Sequence, residues 1–315
     1  MICDLVRVTT QDGVRLDGAL VEPLNSVTEN SVTANRATEK SITGKSAPGN
    51  VQLDAIIAVH GVASNFYSSS LFENLLPHLR AFGIPVLLIN TRGHDLACYS
   101  YANKSRRSIG AAFEIVDDCR LDLAAWIDWL AQQGRRNLLL LGHSLGAIKI
   151  VHAAATDQRP EVRGVLAMSA PRLASSAFRN GAESGPYLES LLRAKELVKK
   201  GEPESLMQST FPYPLLITAS GYLDKYGPGD RYHIVDQVPK LMCPTLFTYG
   251  QLELESGATA FAGIDQAILS AKGPGQSATV AVVPNADHNY SGQSAPLASH
   301  ITTWIRSTFI ADPIS

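Results

Sequence analysis

The segment LLLLGHSLGA, residues 138–147, joins a run of four leucines to a G-x-S-x-G motif. The leucine run predicts a strand that is buried on both faces, and the following LGAIKIVHAAA predicts a helix. A serine on the sharp turn between a strand and a helix presents its hydroxyl above the edge of the sheet, and the two glycines let neighbouring backbone pass close to that turn. Ser144 is therefore the candidate nucleophile, and the alternative is a glycine-rich turn that holds a serine by chance.

Strands and helices alternate along most of the chain. Runs such as DAIIAVHG (54–61) and IPVLLIN (84–90) are too apolar to face water on either side. This pattern predicts an α/β protein with a mainly parallel sheet and helices on both of its faces. Alternating apolar and polar residues around Asp12 and Gly13 predict an N-terminal antiparallel hairpin.

The alternation breaks off in the second half of the chain. Residues 173–240 contain much proline, glycine and tyrosine, as in FPYPLLITASGYLDKYGPGDRYHIVDQVP. We interpret this segment as a cap inserted over the carboxyl ends of the strands, in a core formed by residues 1–172 and 241–315. Residues 25–50 are rich in serine, threonine and asparagine, and they predict a flexible surface loop.

Composition excludes several classes of function. Hydrophobic residues make up 45% of the 315 residues and charged residues 18%, which allows a large core and excludes global disorder. A formal net charge of −2 argues against a nucleic-acid binder. The four cysteines are scattered without a CxxC pair, so we expect neither a zinc site nor a disulfide framework. We expect no metal and no cofactor. Because no secretory signal and no membrane-spanning run are recognisable, we expect a cytoplasmic protein without a membrane partner.

The motifs together resemble those of serine hydrolases with the α/β-hydrolase fold. The resemblance runs from DAIIAVHG through NTRGHD (90–95) and LGHSLG to NADHNYSG (285–292), which is nearly the whole chain. It implies that the backbone N–H groups of Val62 and Leu145 form an oxyanion hole. The resemblance is specific for the fold, but it says little about the substrate because this fold hosts many chemistries.

The resemblance also implies where the general base lies. His288 is in the segment between the last predicted strand and the last predicted helix, where similar hydrolases carry their base. His60 and His143 belong to the two turns of the oxyanion hole, and we expect them to pack or hydrogen-bond locally. His94 and His233 are in predicted loops and are second-rank candidates for the base.

The acid must lie between the serine and the histidine, because this fold orders its triad as Ser, acid, His. The predicted strand GVLAMSAP ends in Ser169 and Ala170, so the earlier of the two acid positions has no carboxylate. The remaining position is GQLELES (250–256), where relatives commonly carry G-x-x-D. Glu253 occupies the place of the aspartate, and Glu255 is the second choice because it would project to the same side if the strand continued.

Such a triad suits acyl transfer to water. We expect a small-molecule substrate with a carboxylic ester, with lactone, thioester, amide and C–C bond hydrolysis as alternatives. A non-catalytic ligand-binding relative of the same fold is a hypothesis from another class. The residues selected as candidate substrate contacts are His60, Asn65, Tyr222 and Tyr226. The polar and aromatic residues of the cap either point to a substrate with polar groups or only solvate the insertion.

Overall fold

The computed structural model describes residues 3–23, 52–102 and 105–310. The predicted flexible loop at 25–50 lies outside the described residues. The strands are β1 Asp4–Thr9, β2 Arg15–Val21, β3 Ala55–Val59, β4 Val86–Ile89, β5 Cys98–Ala102, β6 Ser105–Ile109, β7 Leu138–His143, β8 Val162–Met168, β9 Leu206–Ser209, β10 Leu215–Thr218, β11 Thr245–Gly250 and β12 Ala278–Val283. The helices are α1 Ser70–Arg80, α2 Cys119–Gln132, α3 Leu145–Asp157, α4 Ser175–Asn180, α5 Ser184–Lys199, α6 Ala219–Tyr226, α7 Ile234–Gln237, α8 Gln251–Glu255, α9 Ile264–Ala271 and α10 Ser294–Phe309.

Eight strands form one twisted sheet in the order β1-β2-β4-β3-β7-β8-β11-β12. The pairs β1–β2 and β2–β4 are antiparallel, and the other neighbouring pairs are parallel. This confirms the predicted mainly parallel sheet and its N-terminal hairpin. Strands β3 and β7 are buried along their whole length because they lie in the middle of the sheet.

Helices cover both faces of the sheet, as the sequence predicts. On one face, Trp126 of α2 and Ile148 of α3 belong to a large apolar cluster with alternate residues of the central strands. On the other face, Leu75 of α1 and Ile301 of α10 belong to a second cluster. Each central strand therefore contributes side chains to both apolar layers, which explains its continuous hydrophobic sequence.

Residues 173–240 contain four α-helices (α4–α7), a 3₁₀ turn at Val238–Lys240 and the hairpin β9–β10, which pairs only with itself among the described residues. Its interior is aromatic, with Phe178 packed edge-on against Phe211 at a ring-centroid distance of 4.7 Å. The division of the chain into a core and a cap at these boundaries stays a prediction.

The structure differs from the sequence interpretation at two places. Strands β5 and β6 form a hairpin that the sequence patterns do not predict. Residues 251–255 form the short helix α8 and do not continue strand β11. The helix begins here because the Glu253 carboxylate accepts a hydrogen bond from the Gly250 N–H group at 2.8 Å, which satisfies one free donor at the helix start.

Candidate active site

Ser144 lies on the turn between β7 and α3 in a strained backbone conformation. Its φ is 55° and its ψ is −121°, a region that residues other than glycine rarely adopt. Its N–H group donates a hydrogen bond to the carbonyl oxygen of Met168 at 2.9 Å, which ties the turn to the end of β8. The fold therefore holds the serine in the conformation that the G-x-S-x-G motif predicts.

The two glycines of the motif are required by close backbone contacts. A Cβ atom on Gly142 would lie 2.5 Å from the carbonyl oxygen of Gly146. A Cβ atom on Gly146 would overlap the carbonyl oxygen of Val59 in the neighbouring strand β3. Side chains at these positions would push α3 away from the sheet, and the serine would move with it.

Three side chains from the carboxyl ends of three strands meet in one hydrogen-bonded chain. His288 follows β12, and its Nε2 atom is 3.0 Å from Oγ of Ser144. Its Nδ1 atom is 2.8 Å from Oε2 of Glu253, which follows β11. Glu253 is buried, whereas the His288 side chain is one-third exposed. The order Ser–His–Glu is the one in which a base can accept the serine proton while an acid holds the base.

The second oxygen of Glu253 has two donors of its own. Oε1 accepts hydrogen bonds from the Gly250 N–H group at 2.8 Å and from the hydroxyl of Ser169 at 2.6 Å. Ser169 is fully buried, and its oxygen is also 3.0 Å from the Tyr290 hydroxyl. Sequence reasoning treated Ser169 only as an acid position without a carboxylate. The signal it missed is that the two acid positions of this fold end neighbouring strands, β8 and β11, so their side chains can touch.

Glu255, the second choice for the acid, has a different environment. It is exposed on α8, and its Oε1 atom accepts a hydrogen bond from the side chain of Gln251 at 2.9 Å. Because α8 is a helix, two positions along the chain turn the side chain to another side, whereas a strand would have kept Glu253 and Glu255 on one face. The structure brings Glu253, and not Glu255, to His288.

The His60–Val62 turn packs directly against the serine. A Cβ atom on Gly61 would lie 3.3 Å from Cβ of Ser144. Val62 and Leu145 line the same cavity as Ser144, and Leu145 is the first residue of α3. In the described part of the chain, the amides of these two residues donate no hydrogen bond to a loop or turn carbonyl. Free N–H groups at a helix start can stabilise a negatively charged oxygen.

His60 and His143 are neutral, buried supports. His60 donates from Nδ1 to the Gly61 carbonyl oxygen at 2.7 Å and accepts the Thr91 N–H group on Nε2 at 3.2 Å, while burial lowers its pKa to about 3. His143 donates from Nε2 to the carbonyl oxygen of His288 at 2.8 Å. Burial, followed by the nearby His288, lowers the pKa of His143 to about 4. His143 therefore anchors the segment that carries His288.

A cavity of about 270 Å³ opens beside Ser144. Seven of its fifteen lining residues come from the 173–240 segment, which therefore forms about half of the cavity wall. The walls are mostly apolar or aromatic, and the lining residues are Val62, Ser144, Leu145, Pro171, Leu173, Phe178, Glu183, Phe211, Pro212, Tyr213, Tyr226, Ala258, Ala260, Phe261 and His288.

Of the four candidate substrate contacts, Tyr226 is the one that lines this cavity. Its hydroxyl has no hydrogen-bond partner in the described part of the chain, and burial raises its pKa well above the ordinary value. Tyr222 is fully buried and does not belong to the lining, and neither does His60. Asn65 is also outside the lining, and its amide donates a hydrogen bond to Asp95 at 2.7 Å.

One group among the described residues has the spacing of metal ligands. His94, Asp95 and Cys98 place one ligand atom each within 4.8 Å of one another. His94 Nδ1 is 2.7 Å from Oδ2 of Asp95, and Asn65 and Tyr67 donate to the same carboxylate. These contacts satisfy the carboxylate without a metal ion, and neither His94 nor His233 lines the cavity of Ser144.

Comparisons with known proteins agree with this architecture. The sequence profile of the alpha/beta hydrolase family matches residues 56–299, so the chain belongs to that family. No curated protein matches the sequence. In the described part of the chain, no helix combines the length and the apolar character needed to cross a bilayer.

Several solved structures share the fold over nearly the whole chain. Est1E of Butyrivibrio proteoclasticus, solved with ferulic acid, has a TM-score of 0.65 at 14% identity, and the match covers 96% of this chain and 99% of that chain. The α/β-hydrolase GrgF of Penicillium sp. sh18 has a TM-score of 0.66 at 14% identity, with 99% and 100% covered. A Pyrococcus furiosus esterase has a TM-score of 0.59 at 14% identity, with 98% and 92% covered. At these identities the likeness shows the fold alone.

Proposed function

We propose that the chain is a serine hydrolase that cleaves carboxylic esters through an acyl-enzyme. Ser144 is the nucleophile, His288 the general base and Glu253 the acid that holds the base. The observation that carries the proposal is the unbroken chain of contacts from Ser144 Oγ to His288 at 3.0 Å and from His288 to Glu253 at 2.8 Å. A base within hydrogen-bond reach of the hydroxyl is the first geometric requirement for this chemistry.

The proposed reaction follows from these positions. His288 Nε2 accepts the proton of Ser144 as Oγ attacks the ester carbonyl, and Glu253 stabilises the imidazolium that forms. The carbonyl oxygen becomes an oxyanion beside the N–H groups of Val62 and Leu145. His288 then gives the proton to the leaving alcohol. Water, activated by the same base, then attacks the acyl-enzyme, which releases the carboxylic acid product and restores the Ser144 hydroxyl.

The choice of bond rests on chemistry and on the comparisons. The Pyrococcus protein is named as an esterase, which supports an ester substrate here. Lactones and thioesters pass through the same acyl-enzyme, so they remain close alternatives, and amide and C–C bond cleavage are further ones. A ligand-binding role without catalysis is disfavoured because strain at the serine and a complete acid–base chain would then have no use.

We also propose that residues 173–240 form a cap that encloses a small-molecule substrate, and that Tyr226 contacts this substrate with its unpartnered hydroxyl. No cofactor is part of the proposed reaction, because the proton transfers and the charge stabilisation are assigned to protein groups. A cytoplasmic location is a proposal supported by the four cysteines, all of which are free thiols.

The test is labelling with a fluorophosphonate probe together with turnover of short p-nitrophenyl esters. We expect the wild-type protein to be labelled and to hydrolyse the esters, and Ser144→Ala to lose both properties while keeping its circular dichroism spectrum. A folded wild-type protein that neither reacts with the probe nor hydrolyses any ester, lactone or thioester would overturn the proposal.

A further inference from the structure

The described residues that line the cavity beside Ser144 include a single carboxylate and a single basic side chain. The carboxylate is that of Glu183, and the basic side chain is that of His288. The remaining walls are uncharged, and much of their surface is aromatic. A single acidic group in such a place biases which substrates can enter.

The Glu183 carboxylate is held by hydrogen bonds and forms no ion pair among the described residues. Its Oε2 atom accepts a hydrogen bond from the hydroxyl of Thr259 and a longer one, at 3.4 Å, from the Thr259 N–H group. Its Oε1 atom has no hydrogen-bond donor in the described part of the chain. Among these residues no lysine, arginine or histidine forms an ion pair with Glu183, since the nearby Arg172 donates instead to the Thr259 carbonyl oxygen at 3.5 Å. One carboxylate oxygen is therefore ordered and free.

The aromatic walls favour the same sign of charge. Phe178, Phe211 and Tyr226 form a continuous aromatic group, with centroid distances of 4.7 Å and 5.9 Å between successive rings. Phe261 also lines the cavity and packs against His288 at a ring-centroid distance of 5.3 Å. Aromatic faces attract cations, and the attraction grows where water is excluded. An unpaired carboxylate adds a Coulomb attraction to a cation and repels an anion.

We propose that Glu183 determines substrate specificity by selecting esters that carry a positively charged nitrogen near the scissile bond, and by excluding esters that carry a carboxylate there. The inference rests on the proposed function, because it names the substrate class of the same site. It assigns to Glu183 no part in bond cleavage. The carboxylate would act only through binding, by its charge and its free oxygen.

The test compares two esters of the same shape, acetylcholine and its neutral carbon analogue 3,3-dimethylbutyl acetate. We expect the wild-type kcat/KM to favour the cationic ester, and Glu183→Gln to lower the ratio of the two values about tenfold. Glu189→Gln is the matched control, because it removes the same charge from an exposed position on α5 and should leave the ratio unchanged. An unchanged ratio in Glu183→Gln would overturn the inference.

A binding measurement separates this inference from the proposed function. Ser144→Ala, which has no nucleophile, is titrated with choline and with 3,3-dimethyl-1-butanol, the two alcohols that differ only in charge. We expect choline to bind about tenfold more tightly, and the preference to be lost in Ser144→Ala/Glu183→Gln. Equal binding of the two alcohols would refute the charge selection even if the wild type hydrolyses esters. If Ser144→Ala prefers choline but the wild-type protein neither reacts with the fluorophosphonate probe nor hydrolyses any ester, lactone or thioester, the proposed function alone is refuted.

Discussion

Replacing Glu253 by glutamine tests the acid of the triad, because the change keeps the shape of the side chain and removes its charge. The two donors at Oε1, the Gly250 N–H group and the Ser169 hydroxyl, require an acceptor. The amide oxygen must therefore take that place, and the amide N–H₂ then replaces Oε2 at 2.8 Å from His288 Nδ1. A donor there forces Nδ1 to accept, so the ring proton moves to Nε2 and points at Ser144.

A histidine in this tautomer cannot accept the serine proton, and the imidazolium also loses its carboxylate. The lost attraction between the carboxylate and the imidazolium alone amounts to about 4 kcal/mol, for charges about 4 Å apart at an effective dielectric constant of about 20. That energy corresponds to roughly 10³ in rate. The equivalent replacement in a serine protease triad lowers kcat by about 10⁴. We therefore expect kcat for a short p-nitrophenyl ester at neutral pH to fall by about 10³ to 10⁴.

The matched control is Glu255→Gln on the same short helix. Glu255 is exposed and bonds only to the side chain of Gln251 among the described residues, so we expect kcat to change by less than about twofold. Thermal unfolding of both variants checks that they remain folded. The assignment of the acid would be wrong if Glu253→Gln kept more than about a tenth of the wild-type kcat. It would also be wrong if kcat fell as far in Glu255→Gln as in Glu253→Gln.

Three further predictions concern the surroundings of the triad. Ser169→Ala removes a hydrogen bond to the buried Glu253 carboxylate, and such a bond contributes about 1.5–3 kcal/mol. Steady-state kinetics should therefore show a kcat at least about tenfold lower, with little change in KM. An unchanged kcat would show that Ser169 does not position the acid. Gly146→Ala places a Cβ on the Val59 carbonyl oxygen, so it should lower the Tm and slow fluorophosphonate labelling, and a variant with wild-type values would contradict the packing argument. His60 and His143 have pKa values of about 3 and about 4 in the folded protein, below the ordinary 6.5. Between these values and pH 6.5, the unfolded chain binds protons that the folded protein does not bind. The stability of the fold is therefore fully retained above pH 6.5 and decreases as the pH falls towards these values. The urea midpoint should therefore be lower at pH 5 than at pH 7.5, and equal midpoints would show that these rings are not buried in the neutral form.

Local patterns in the sequence predicted most of the fold. Strand β7 and the turn after it were readable because four leucines and two glycines specify burial and close packing within ten residues. The helices covering the sheet were readable from apolar spacing, as with Trp126 and Ile127 of α2. The hairpin β5–β6 was missed because its residues, such as the exposed Tyr99 and Tyr101, do not alternate between buried apolar and exposed polar positions.

The surroundings of the site depend on contacts between distant residues, which no local pattern contains. Ser169 and Glu253 are 84 positions apart, yet their side chains share a hydrogen bond. His60 was a reasonable substrate contact on its position alone, but the residue is buried and both of its ring nitrogens have partners in the protein. Glu183 was not selected at all, since only the folded chain brings it beside Ser144.

The arrangement of Glu253 and His288 follows from how closely two loops pack at the ends of β11 and β12. A Cβ atom on Gly250 would lie 2.6 Å from the carbonyl oxygen of Asp287, so the His288 loop rests directly on the end of β11. The Leu252 N–H group donates to the Ala286 carbonyl oxygen at 2.9 Å, which joins the first turn of α8 to the same loop. With the backbone fixed in this way, the carboxylate must reach the Gly250 N–H group on one side and His288 on the other. The extra methylene of glutamate gives it that reach from the third residue of α8, which is a physical reason for a glutamate at the position where relatives commonly have aspartate.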